Sequence, residues 1–261
     1  LTAAFKPQKQ SECRFFFGFL EKEVMRMITS GHQPNYLPYL GFFDKMAQCD
    51  VFVIQDNVQY ERHDFQNRNQ IKTAKGVTWL TVPVEHIGET LPIKEIRIAK
   101  RLESEWGLHH WRILELNYER APYWKHYRDF FEQAYRQKWE SLMDLNLHLI
   151  KGIMKFLRIK TFLVLASSLN ASGKSSDMIL AQCKSVGADV YLSGIGGRVY
   201  LDIPLLENAG IKVVFQDFHY PVYTQLHGTF VPNLSVVDYL FCHGGEDWTP
   251  KQTFKTSSDG N

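Results

Sequence analysis

Apolar positions in the first part of the chain change period in a regular order. Met27 to Gly31 is a run of strand length that stops at Gly-His-Gln-Pro, a turn signal. Behind Pro38, which suits a first helical turn, Tyr39, Leu40, Phe42, Phe43 and Met46 recur at helical spacing, and the segment closes near Asp50. Val51 to Ile54 reads as a buried strand. Strand, turn, helix, strand is the parallel crossover unit, which binds ligands at the carboxyl ends of its strands. Gly76 to Val84 and Ile93 to Ile98 predict two further strands, with Pro83 near a strand end or edge. From Glu103 to about Leu157 the spacing is helical and rich in Trp, Tyr and Phe, as expected of an inserted layer covering the sheet. The parallel pattern then resumes, with strands at Phe162 to Ser167, Val190 to Ser193 and Ile211 to Phe215 and a helix at Asp177 to Val186.

The pattern predicts an α/β fold with a mostly parallel sheet, a helical insertion at about 103–157, and a single domain over 27–248. The segment 1–26 contains a short apolar run, but Glu21, Lys22 and Glu23 follow it without a small-x-small cleavage site. With Met25 and Met27 just ahead of the first strand, it is expected to be non-native or peripheral. Residues 249–261 lack apolar periodicity and are expected to be a disordered tail.

Composition narrows the classes. With 44% hydrophobic and 22% charged residues the chain can bury a core. Thirty Lys and Arg against 28 Asp and Glu give a net charge of +2, too small a field to argue for nucleic acid. The four cysteines include no C-x-x-C pair and read as reduced thiols, and no apolar run approaches the roughly 20 residues of a membrane helix. A cytoplasmic protein is expected; its oligomeric state is not legible.

Four polar segments are the candidates for chemistry. In the first, His32, Gln33, Asn35 and Tyr36 stand between a strand and a helix, either capping the turn or meeting an anion at the helix N-terminus. In the second, Asp56, Gln59, Asn67, Arg68 and Lys72 follow a buried strand. Arg68 and Lys72, four apart, would share a helical turn as a clamp for phosphate or carboxylate, and Asp56 would act as a base or accept from a sugar hydroxyl. The third is the turn Ser193, Gly194, Gly196, Gly197, Arg198 and Tyr200, where glycines admit a ligand to the backbone, though without P-loop or dinucleotide-fingerprint spacing. The fourth holds His219, a candidate acid or base, and Asn233 with Ser235, for which a helix-capping reading is the stronger. No H-x-x-x-H or H-E-x-x-H motif points to a metal, and no G-x-S-x-G elbow points to a serine triad.

In order, His32 to Phe43, Gln66 to Lys72, Trp79 to Val84, Gly187 to Gly194, Gly197 with Tyr200 to Asp202, and Phe230 to Ser235 closely resemble the blocks of the WbqC-like family. The resemblance covers about Ile28 to Gly244. It implies a bacterial cytoplasmic protein linked with O-antigen or other surface polysaccharide. The family commonly carries a carboxylate where this chain has Gln55 or Asn57, which shifts the expected catalytic carboxylate to Asp56. The first strand, its His32 loop and the helix after it also resemble the entry of Rossmann-like nucleotide-binding folds of the HIGH-motif nucleotidylyltransferase kind. Here only one of the two histidines is present, and Ser172 to Ser176 faintly resembles the basic phosphate loop. The expectation that follows is a transferase or ligase acting on a sugar or sugar nucleotide. It would hold an anionic small molecule such as a nucleotide through His32, Arg68 and Lys72, with Asp56 or His219 moving the proton. The competing expectation is a non-catalytic scaffold of a polysaccharide assembly complex.

Overall fold

In the computed structural model, which describes residues 26–85, 91–100, 105–169 and 171–250, the chain begins with strand β1 (Ile28–His32). Helix α1 (Leu40–Ala47) and strand β2 (Val51–Ile54) follow, then a hairpin of β3 (Arg68–Thr73) and β4 (Gly76–Thr81). Three helices come next: α2 (Glu105–Tyr118), α3 (Trp124–Arg136) and α4 (Leu142–Phe156). The last third runs β5 (Phe162–Leu165), α5 (Ser175–Val186), β6 (Val190–Ser193), α6 (Ile203–Asn208), β7 (Lys212–Phe215) and α7 (Val236–His243). The expectations for residues 1–25 and 251–261 fall outside the described residues. Among those described, no helix is long and apolar enough to cross a membrane.

The main sheet has the order β5-β2-β1-β6-β7 and is parallel throughout. The chain winds outward from β1 in one direction through β2 and β5, then returns to the other side of β1 for β6 and β7. The reversal puts a topological switch point between β1 and β6. Successive residues of β6 show the two faces of the sheet. Leu192 joins the large core with α1, the hairpin, α2 to α4 and α7, whereas Tyr191 joins a smaller cluster with Ile179 of α5 and Leu206 of α6. The three aromatic helices share the large core with the sheet and the hairpin. Trp111 stacks on Trp124 with ring centres 5.3 Å apart, and the Trp139 indole donates to the Ala134 carbonyl at 2.7 Å.

Two local expectations are corrected. Ile93 to Ile98 is no strand: Ile93–Glu95 is a 3-10 turn and Ile98 forms only an isolated bridge to Val84. The turn places Ile93 and Ile96 three apart on one buried side, a spacing a strand would split between faces. Conversely, Arg68 to Lys72 is a strand, not a helical turn. Its inward residues include Asn69, whose amide donates to the Leu37 carbonyl at 2.6 Å, so the strand is anchored by a hydrogen bond that hydrophobic patterning does not register.

Candidate functional site

Register explains where the sheet opens. β1 pairs with β2 through four residues, Thr29 to His32, but with β6 only at Ile28 and Thr29. Beyond Thr29 side chains take over the work of the ladder. The Ser30 hydroxyl donates to the Leu192 carbonyl at 2.6 Å, and the Lys45 ammonium donates to the Gly31 carbonyl at 3.1 Å. The two strands thus part toward their carboxyl ends, and a cleft of about 1080 Å³ lies there, at the switch point.

One wall of the cleft is Gly31, His32 and Gln33 with Phe42 and Lys45 of α1. Facing it are the turn Gly194 to Gly197 with Tyr200, and the start of α5 at Gly173, Lys174 and Ser175. Gln55, Asn57 and Gln59 close one end, and Gln216, Asp217, Phe218 and Asn233 the other. The glycine turn fits by necessity at Gly197, where any side chain would strike the Ser193 hydroxyl. The rim beside it is apolar and exposed, with Ile195 and Tyr200 at the cleft and Val199 next to them.

Electrostatics single out two groups. His32 packs edge-on against Phe42, and burial with the neighbouring Lys45 charge pulls its pKa down to about 3. The imidazole is therefore neutral at physiological pH. Because the Gln33 carbonyl can only accept, Nδ1 carries the hydrogen at their 3.0 Å contact, and Nε2 keeps its lone pair. Lys45, only 5% exposed, is lowered by desolvation to about 8. Its Nζ has the Gly31 carbonyl as acceptor and the Phe52 ring 5.8 Å away, and among the described residues no carboxylate lies within salt-bridge distance. Asn57 Oδ1, also lining the cleft, is buried without a hydrogen-bond partner.

Of the residues expected from sequence, the cleft gathers His32, Gln33, Gln59, Gly194, Gly196, Gly197, Tyr200 and Asn233. Asn233 has φ 60, in the left-handed region, just before the α7 cap Ser235. The others lie elsewhere, each for a visible reason. Asp56 is buried and accepts from the Ser167 amide at 2.9 Å and the Ser167 hydroxyl at 2.5 Å, so its carboxylate ties the turn after β5 to the end of β2. Lys72 donates to Gln225 Oε1 and to the Gly228 and Thr229 carbonyls. Arg68 stacks 4.3 Å over Trp79 and donates to the His63 carbonyl, so the expected clamp does not form. Tyr36 is core, bonded to His110 at 2.8 Å and to Tyr135 at 2.5 Å, and Asn67 donates to the Val82 carbonyl at 2.9 Å. Asn35 is buried and does not line the cleft. Ser193 is buried with its hydroxyl on the Gly194 carbonyl, and Arg198 lies 4.7 Å over the Phe215 ring. His219 is exposed beside Asp217, 3.5 Å away.

The cleft also holds Lys174, from the Ser172 to Ser176 stretch that resembles a phosphate loop, together with Gln55, Asn57, Gln216 and Asp217, to which the sequence assigns no site role, and Lys45, which it does not single out at all. A signal for Lys45 existed. The α1 sequence has no continuous polar face, so a helix packed on most sides must bury Asp44 and Lys45 as well. Asp44 is indeed bound, taking hydrogen bonds from Gln48 and Gln216, each at 2.7 Å.

A family model described as the WbqC-like protein family matches residues 33–249. The uncharacterized protein Rv1507c of Mycobacterium tuberculosis is 34% identical over 216 residues, covering 82% of this chain and 93% of that protein. No solved structure matches the chain.

Proposed function

The chain belongs to the WbqC-like protein family, and on that premise we propose that its cleft binds a nucleotide or sugar nucleotide for group transfer to or from a sugar in surface-polysaccharide (O-antigen) synthesis. The sheet is then of the Rossmann-like, HIGH-related nucleotide-binding type, carried by one domain over 27–248.

One observation carries the reading: a cleft at the switch point of a parallel sheet, walled by a glycine turn and the start of α5, with Lys45 and Lys174 facing into it. Backbone amides at a helix N-terminus favour phosphate, and Lys174 adds a cation at the same place. Among the described residues Asp217 is the single carboxylate in the lining, at the far end beside Phe218. Gln59, Gly194, Gly196, Gly197 and Asn233 would position the ligand, with Tyr200 and Ile195 against its apolar parts. Neutral His32 would contribute a lone pair and not a positive charge.

Calorimetric titration with uridine and adenosine diphosphates and their sugar conjugates tests the proposal. At least one is expected to bind, with Lys174→Glu weakening it ten-fold or more and Arg68→Glu leaving it unchanged. Folded protein that gives no heat with any of them would overturn the reading.

A further inference from the structure

We propose that Lys45 is a reactive amine that forms an imine with a carbonyl group of the substrate, at the floor of the cleft whose rim holds the phosphate. The inference rests on the nucleotide reading and names the group that must reach the floor.

Geometry separates the two cations of the cleft. Lys174 is exposed at the entrance, beside the α5 amides, where a solvated charge suits a phosphate. Lys45 is buried on α1, opposite Gly194, with one backbone acceptor for its three protons. A fixed cation in such a place would be expected to have a carboxylate beside it, because an unpaired buried charge costs several kcal/mol, of the order of the loss when one partner of a buried pair is removed. Instead its surroundings are Phe52, Phe42 and the neutral ring of His32, with Cys49 just past the end of α1 and Asp44 engaged by Gln48 and Gln216. Such a setting favours the uncharged amine, and burial lowers the pKa to about 8, so about a tenth is free base at pH 7 and about half at pH 8. The lysine is thus both available as a nucleophile and open to the cavity.

The step balances without any further reactant. The unprotonated amine adds to the carbonyl carbon, the C=O π pair moves to oxygen, and that oxygen takes a proton to give a carbinolamine. Loss of the hydroxyl as water and of the N–H proton then gives the imine. One amine and one carbonyl become one imine and one water, with no change of oxidation state. His32, electrostatically coupled to Lys45 and with Nε2 unprotonated, is placed to relay the proton.

Pyridoxal 5′-phosphate, which carries an aldehyde and a phosphate, and pyridoxal, which lacks the phosphate, are the probes. After incubation with the full chain and reduction with borohydride, intact mass and peptide mapping should show one adduct per chain, at Lys45. Pyridoxal should label it at least ten-fold less efficiently. Labelling should rise through pH 8, and Lys45→Arg should remove the adduct while keeping the thermal transition. Unmodified Lys45 in protein that still binds nucleotide would overturn the inference and leave the nucleotide reading standing. Equal labelling of Lys45 by the two aldehydes would support the amine's reactivity and count against the phosphate site.

Discussion

Among the described residues two lysines are almost completely buried, Lys72 on the hairpin at 3% exposure and Lys45 on the cleft floor at 5%, and their surroundings differ in kind. Lys72 spends its three N–H donors on Gln225, Gly228 and Thr229, so the protein replaces its hydration shell. Around it the Asp238 carboxylate takes hydrogen bonds from Tyr118 at 2.8 Å and Tyr223 at 2.7 Å, and the Tyr118 hydroxyl also accepts from the Lys72 amide. Lys45 has one carbonyl and an open cavity. Burial alone therefore does not mark a site. A buried charge whose donors are all accepted is structural; one that keeps donors facing a cavity is held ready for something else.

The contrast is sharpest in stability. Lys72→Met strips the Gly228 and Thr229 carbonyls and Gln225 of their donor and should cost about 4 kcal/mol, read as a fall in the urea midpoint. Lys45→Met should act in the opposite direction. Its folded pKa lies below the unfolded value of 10.5, so the penalty of burying the charge is fully present below pH 8 and disappears as pH rises to 10.5. The methionine variant is expected to be more stable by on the order of 3 kcal/mol at pH 7 and to match the wild type above pH 10.5. A destabilised Lys45→Met with no pH dependence would make the two lysines alike and break the comparison. Smallest is the effect of Asp56→Asn, which offers a donor where two are already pointing. A loss of about 1 kcal/mol in the same denaturation assay, with nucleotide affinity intact, would set Asp56 beside Lys72 as structural.

Hydrophobic period carried most of the architecture. β2 and β6 coincide with the predicted spans, β1, β7 and α5 fall within one or two residues, and the aromatic stretch after Glu103 is helical as expected. Where polar groups are buried by hydrogen bonds, the period fell silent. β3 is missed because Asn69 and Lys72 are polar residues buried on its two faces, and α6 because its signal is a cap, Asp202 accepting from Leu205 at 3.0 Å, followed by Pro204. The site divides the same way. Loops directly after β1 and β6 were legible as cleft walls, since strand ends fix their place. Arg68 and Lys72 were misplaced because charge and spacing look alike whether the partner is a ligand or a neighbouring carbonyl, and Lys45 was hidden inside an apolar helix.

The early parting of β1 from β6 has a mechanical side. Segments some 160 residues apart in sequence are joined across this seam by two residue pairs, the bonds of Met27 to Asp189 and Val190 at its foot and the Ser30 hydroxyl, the shortest register in the sheet. Any guest gripped by both lips becomes a rivet between the two halves of the fold. Its binding and the cohesion of the seam are then linked quantities, each strengthening the other by mass action.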